Sequence, residues 1–100
     1  MTLDLVKIDV EGAEPDVLRG MQSLLTRRRV KALIMEFYPT LLRARGTPET
    51  PLELLKNLLK DFNVYHIGPK GKLRQIASHE VKDFVISVPK LTNICAIIRE

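Results

Sequence analysis

Three carboxylates stand close together near the start of the chain, in the run Lys7-Ile8-Asp9-Val10-Glu11-Gly12-Ala13-Glu14. A fourth, Glu36, closes a second apolar run, Ala32-Leu33-Ile34-Met35, shortly before Pro39. A carboxylate within hydrogen-bond reach of a hydroxyl can take its proton as the oxygen attacks, and can orient a sugar-like pair of hydroxyls. The same residue types have a plain structural use. Glu11 and Glu14 precede a helix and can favour its positive end. Asp9 can pair with Lys7 or accept backbone N–H bonds in a turn. On residue types alone both readings stand. Tyr38 reads as packing or rim. His66 and His79 are isolated from the acids, and no set with metal-ligand spacing results, so no metal is expected.

The elements that would position these acids follow from periodicity. In Leu3 to Val10, Val6, Ile8 and Val10 alternate onto one face, and Leu3 and Leu5 onto the other. Apolar residues on both faces predict a buried, parallel strand. Lys7 and Asp9 interrupt its second face near the carboxyl end. Glu11 to Glu14 is a tight link. Pro15 then suits the first position of a helix in which Val17, Leu18, Met21, Leu24 and Leu25 recur at helical spacing. The cluster Arg27-Arg28-Arg29 falls at the negative end of that helix, which explains it without a phosphate site. Lys31 to Tyr38 is the next strand, stopped by Pro39. Strand, helix, strand makes a right-handed βαβ unit. Thr40 to Gly46 is a loop or short helix. Thr50-Pro51-Leu52-Glu53 opens a helix with Thr50 as cap and a stripe of Leu54, Leu55, Leu58, Leu59 and Phe62. Asn63 to Ile67 is a third strand, and Gly68 to Gly71 turns into a hairpin strand, Leu73 to Ala77. Ser78 to Val88 has two readings: the spacing of Val81, Phe84, Val85 and Val88 behind a Ser78 cap favours a short helix, and its β-branched content favours a strand. Thr92 to Arg99 is a final strand.

Composition narrows the classes. One hundred residues, 45% apolar and 28% charged, with mean hydropathy −0.02, describe one folded unit rather than a disordered chain or a fibre. The longest apolar run, Ile94 to Ile98, is far short of the roughly 20 residues of a membrane span. The first residues lack the basic start and apolar stretch of a secretory signal. The net charge is +4, but the basic residues are dispersed, aromatics are 5% and Trp is absent, which argues against nucleic acid as a partner. The lone Cys95 excludes an internal disulfide and fits a reducing cytoplasm.

The segment Leu3 to Gly20, with Lys7-Ile8-Asp9-Val10-Glu11-Gly12-Ala13-Glu14 at its centre, resembles the FkbM family of S-adenosylmethionine-dependent methyltransferases. The strand ending at Glu36 and Pro39 is similar to that family too, as are the leucine-rich helix and the Val64-Tyr65 strand with its glycine turn. The resemblance implies an α/β fold: the C-terminal half of a Rossmann-like methyltransferase sheet, β-α-β-α-β plus a C-terminal hairpin and strand, mostly parallel with an antiparallel edge. It implies one partial domain over residues 1–100 that lacks the N-terminal cofactor-binding strands, because the five glycines form no glycine-rich turn between a strand and a helix.

The resemblance further implies methyl transfer to the hydroxyl of a small-molecule acceptor. Asp9 and Glu11 are then the catalytic residues, and Glu14 and Glu36 bind substrate. Ligands of open α/β sheets lie beyond the carboxyl ends of the strands, so Asp9, Glu11 and Glu36 should converge on one rim. S-adenosylmethionine would be used only when the missing half is supplied, and the chain alone would be inactive. The alternative is a non-catalytic interaction module. In it Leu3 to Val10, left as an edge, pairs with a second copy or with an N-terminal-half partner.

Overall fold

The computed structural model of the chain describes residues 2–9, 12–88 and 90–99. Alternating apolar residues build five strands: β1 (Val6–Ile8), β2 (Ala32–Phe37), β3 (Phe62–Ile67), β4 (Leu73–Ile76) and β5 (Thr92–Ile98). They form one open sheet in the order β1-β2-β5-β3-β4. β1 and β2 are parallel, whereas β2–β5, β5–β3 and β3–β4 are antiparallel. β1, β2 and β3 therefore run in one direction, and β4 and β5 against them.

This corrects the expected, mostly parallel arrangement. The antiparallel β5 is not an edge but lies inside the sheet, and only one of the four pairings is parallel. The reason is in its sequence. Ile94, Cys95 and Ala96 are all 8% exposed or less, and an uninterrupted apolar run belongs in a sheet interior.

One face of the sheet carries the core. Leu33, Ala96, Val64 and Ile76 lie in register across four strands, each 1% exposed or less. Helices α3 (Pro39–Arg45), α4 (Thr50–Leu58) and α5 (Val81–Ser87) deliver Leu42, Leu54, Leu55, Leu58, Phe84 and Val85 into the same cluster. The rings of Phe37 and Phe84 stack there at 5.7 Å. The opposite face is far less covered. Its central register row, Ile34, Cys95 and Tyr65, contains only one buried residue, Cys95, and Ile97 and Leu73 stand 39% and 47% exposed.

That asymmetry changes the reading of the first strand. Leu3 is half-buried through a single bridge to Val30, and Leu5 is 57% exposed. β1 is short, and its only strand partner among the described residues is β2. It is an edge strand with one buried face, not a strand buried on both. Val10 lies outside the described residues.

Local chemistry explains the helix boundaries. The first helix divides into α1 (Glu14–Gly20) and α2 (Gln22–Thr26) at Met21, directly after Gly20, whose weak helix propensity favours a break there. The end of α2 is a Schellman motif: Arg29 N–H reaches the Leu24 carbonyl, Arg28 N–H reaches that of Leu25, and Arg28 takes φ +57°. The Arg28 side chain donates to the carbonyl of Arg99. The arginine cluster thus closes a helix, as its position suggested.

Two expected caps are replaced. The Thr50 hydroxyl does not cap α4 but accepts the Thr47 N–H at 2.8 Å, while the Thr47 hydroxyl accepts the Glu49 N–H at 3.2 Å. The preceding turn, with Pro48 in it, organises the helix start. Ser78 begins a 3₁₀ turn (Ser78–Glu80) ahead of α5, and Glu80 reaches back to accept the Ala77 N–H at 2.9 Å.

Candidate functional site at the carboxyl ends of β1 and β2

Asp9 follows Ile8, the last residue of β1. The register Lys7↔Ile34 and Ile8↔Met35, continued by one residue, sets Asp9 beside Glu36. Side chains alternate along a strand, so both acids occupy the less covered face with Lys7 and Ile34, on strands about 4.8 Å apart. Glu36 is in turn paired with Asn93 of β5. Two carboxylates and a carboxamide thus line the carboxyl-end rim on one face. Asp9 and Asn93 are exposed and Glu36 is half-buried. Such a row can accept protons from hydroxyls and hold them in a fixed order. Among the described residues no three His, Cys, Asp or Glu side chains form a metal-holding group.

Glu14 is placed differently. It is 1% exposed, and its Oε1 accepts the Gly12 N–H at 3.0 Å. It is the first residue of α1, where a negative charge favours the helix. A carboxylate held in this way ties the loop to the helix start. Glu11 lies outside the described residues.

Gly12 explains why the link is so tight. Its φ of +94° is open to glycine and strained for other residues. A Cβ there would come within 2.9 Å of Arg45 Cδ and 3.1 Å of Leu41 Cβ. The backbone therefore lies directly against α3, and the exposed Arg45 crosses it.

Sequence reasoning did not single out Arg45 or Asn93. The i, i+4 spacing of Leu41 and Arg45 was a usable signal that both share one helix face. Asn93 had none, because its place depends on β5 inserting between β2 and β3. Tyr38 precedes α3 and is half-buried. His66 lies near the carboxyl end of β3, at the same end of the sheet as Asp9 but on the core-bearing face. Burial pushes the Cys95 thiol above its ordinary range.

No helix of the described residues is long and apolar enough to cross a membrane. No curated protein and no solved structure matches the chain. The family model of the methyltransferase FkbM domain matches residues 2–66, which span β1 through most of β3 and include Asp9, Glu14 and Glu36. The chain belongs to the FkbM methyltransferase family.

Proposed function

We propose that this chain carries the acceptor-facing half of an S-adenosylmethionine-dependent O-methyltransferase and is inactive alone. The observation that carries the reading is the register that sets Asp9 beside Glu36, at strand carboxyl ends, inside the segment that matches the family. Asp9, with Glu11, takes the proton of the acceptor hydroxyl. Glu36 orients a neighbouring hydroxyl, and Glu14 acts as a positioning residue through its bond to the Gly12 N–H.

The reading that the cofactor is held elsewhere is supported by the two glycine turns. The space beside Gly12 is filled by Arg45 and Leu41, and the Gly68–Gly71 turn leads into β4 rather than into a helix N-terminus. Strands outside these 100 residues, on the same polypeptide or another, would have to hold S-adenosylmethionine. The acceptor is a small hydroxyl compound. The single, mostly buried cysteine suits a cytoplasmic setting.

The test is methyl transfer by a form completed with the N-terminal half of a family domain. Asp9→Asn should lower kcat by about 10²–10⁴-fold, the share of a general base, with KM little changed. Asp4→Asn, at an exposed ion pair with Lys31, should leave the rate alone. A completed enzyme in which Asp9→Asn matches the parent refutes the assignment.

A second reading is favoured by one observation: β1 is a sheet edge whose outer N–H and C=O groups meet no strand among the described residues. In this reading the chain is an interaction module that pairs through Leu3–Val10 with a second copy or an N-terminal-half partner. Light scattering that finds a monomer at high concentration excludes the second copy.

A further inference from the structure

A pocket with mixed polar and apolar walls lies at the same end of the sheet but on the opposite, core-bearing face, three strands from Asp9 or about 14 Å. Its volume is about 280 Å³. Cross-strand register brings His66 of β3 beside Arg74 of β4, and both line it. His66 Nε2 is 2.8 Å from the Thr92 hydroxyl, a bond that either ring tautomer satisfies. Phe84 meets the imidazole edge-on at 5.3 Å and forms the apolar floor. Leu91, 48% exposed, forms the lip. Ser87 donates its proton to the Phe84 carbonyl at 2.7 Å, so it offers the pocket no donor.

Arg74 is held in place rather than neutralised outright. Glu80 Oε2 lies 3.5 Å from its Nη1, and Glu80 is itself anchored to the Ala77 N–H. A guanidinium has five N–H donors in a planar fork, so most remain for a ligand that carries paired oxygens.

We propose that this pocket binds an anionic group, a carboxylate or phosphate monoester, carried on an apolar body. Arg74 grips the oxygens, the His66–Thr92 pair supplies a further polar contact, and the apolar body lies on Phe84 beneath Leu91. The site does not depend on the methyltransferase reading and can be tested without S-adenosylmethionine.

The experiment is a titration of the 100-residue chain with benzoate, phenyl phosphate and neutral benzyl alcohol, followed through the His66 imidazole signals by NMR. The expected result is saturable movement with at least one anion and none with benzyl alcohol; the tighter anion identifies the group. Arg74→Ala should weaken that binding about tenfold or more, the scale of one lost charge-assisted contact. Arg74→Lys should recover part of it. Arg74 is exposed, so the variants should fold, which the unchanged amide spectrum verifies. Absence of saturable movement with both anions, equal response to benzyl alcohol, or unaltered binding by Arg74→Ala overturns the proposal.

Discussion

Replacing glycine by alanine should have opposite effects at two positions eight residues apart, Gly12 and Gly20. At Gly12 the backbone sits at φ +94°, and a non-glycine residue held in such a region costs about 1–3 kcal/mol. The new methyl also meets α3. Arg45 Cδ, at 2.9 Å, belongs to a flexible side chain and can move aside, but Leu41 Cβ, at 3.1 Å, is fixed to the helix backbone. Overpacking of that kind adds about 1–3 kcal/mol, and the motion that relieves it disturbs the Gly12–Glu14 bond. The sum for Gly12→Ala is about 2–6 kcal/mol, a large part of a small domain's stability. Gly20 ends α1, and nothing lies within 4 Å of the point where a Cβ would stand. There alanine should stabilise by about 0.5–1 kcal/mol through helix propensity and a less flexible unfolded chain. Urea denaturation of the three proteins, followed by circular dichroism, gives both values. A Gly12→Ala midpoint within experimental error of the parent would refute the close approach of the link to α3.

Leu55 is fully buried in the core cluster, so Leu55→Ala should cost about 2–5 kcal/mol in the same assay; an unchanged midpoint would mean that the stripe of α4 faces elsewhere. Glu80 offers a pH test. Its carboxyl is held below the ordinary range chiefly by the Ala77 N–H, which desolvation partly opposes, with Arg74 and His79 adding to the lowering. A depressed carboxyl contributes stability above its unfolded pKa and loses it as pH falls through the folded value. Glu80→Gln should therefore be less stable than the parent at neutral pH, and the difference should vanish in acid; a constant difference would show that the charge is not involved.

Much of the fold was legible because it depends on short-range chemistry. Pro15 and Pro51 mark helix starts, Pro39 stops β2, the leucines of α4 recur at helical spacing, and Arg27 to Arg29 close α2 as their position suggested. What failed was non-local. The interior position of β5 depends on pairing Leu33 with Ala96 across more than sixty residues, which periodicity cannot report. The exposure of Leu5 depends on which layers cover the sheet, not on the strand's own pattern. Local competition explains the caps, since Thr47 and Glu80 reach the backbone groups first.

The site shows the same division. Asp9 and Glu36 could be assigned to one rim from strand ends alone, and extending the Ile8↔Met35 register by one residue is what supports that reading. Glu14 could not be separated from them by type or spacing. Its burial follows from the turn at Gly12, where the N–H points back at the carboxylate. Arg45 and Asn93 come from elements distant in the chain.

The most direct measurement is a calorimetric titration of S-adenosylmethionine into the purified 100-residue chain. No saturable heat is expected below millimolar cofactor on the proposed reading, since Arg45 and Leu41 fill the space beside Gly12 and the Gly68–Gly71 turn leads into β4. Micromolar binding by the chain alone would contradict that reading.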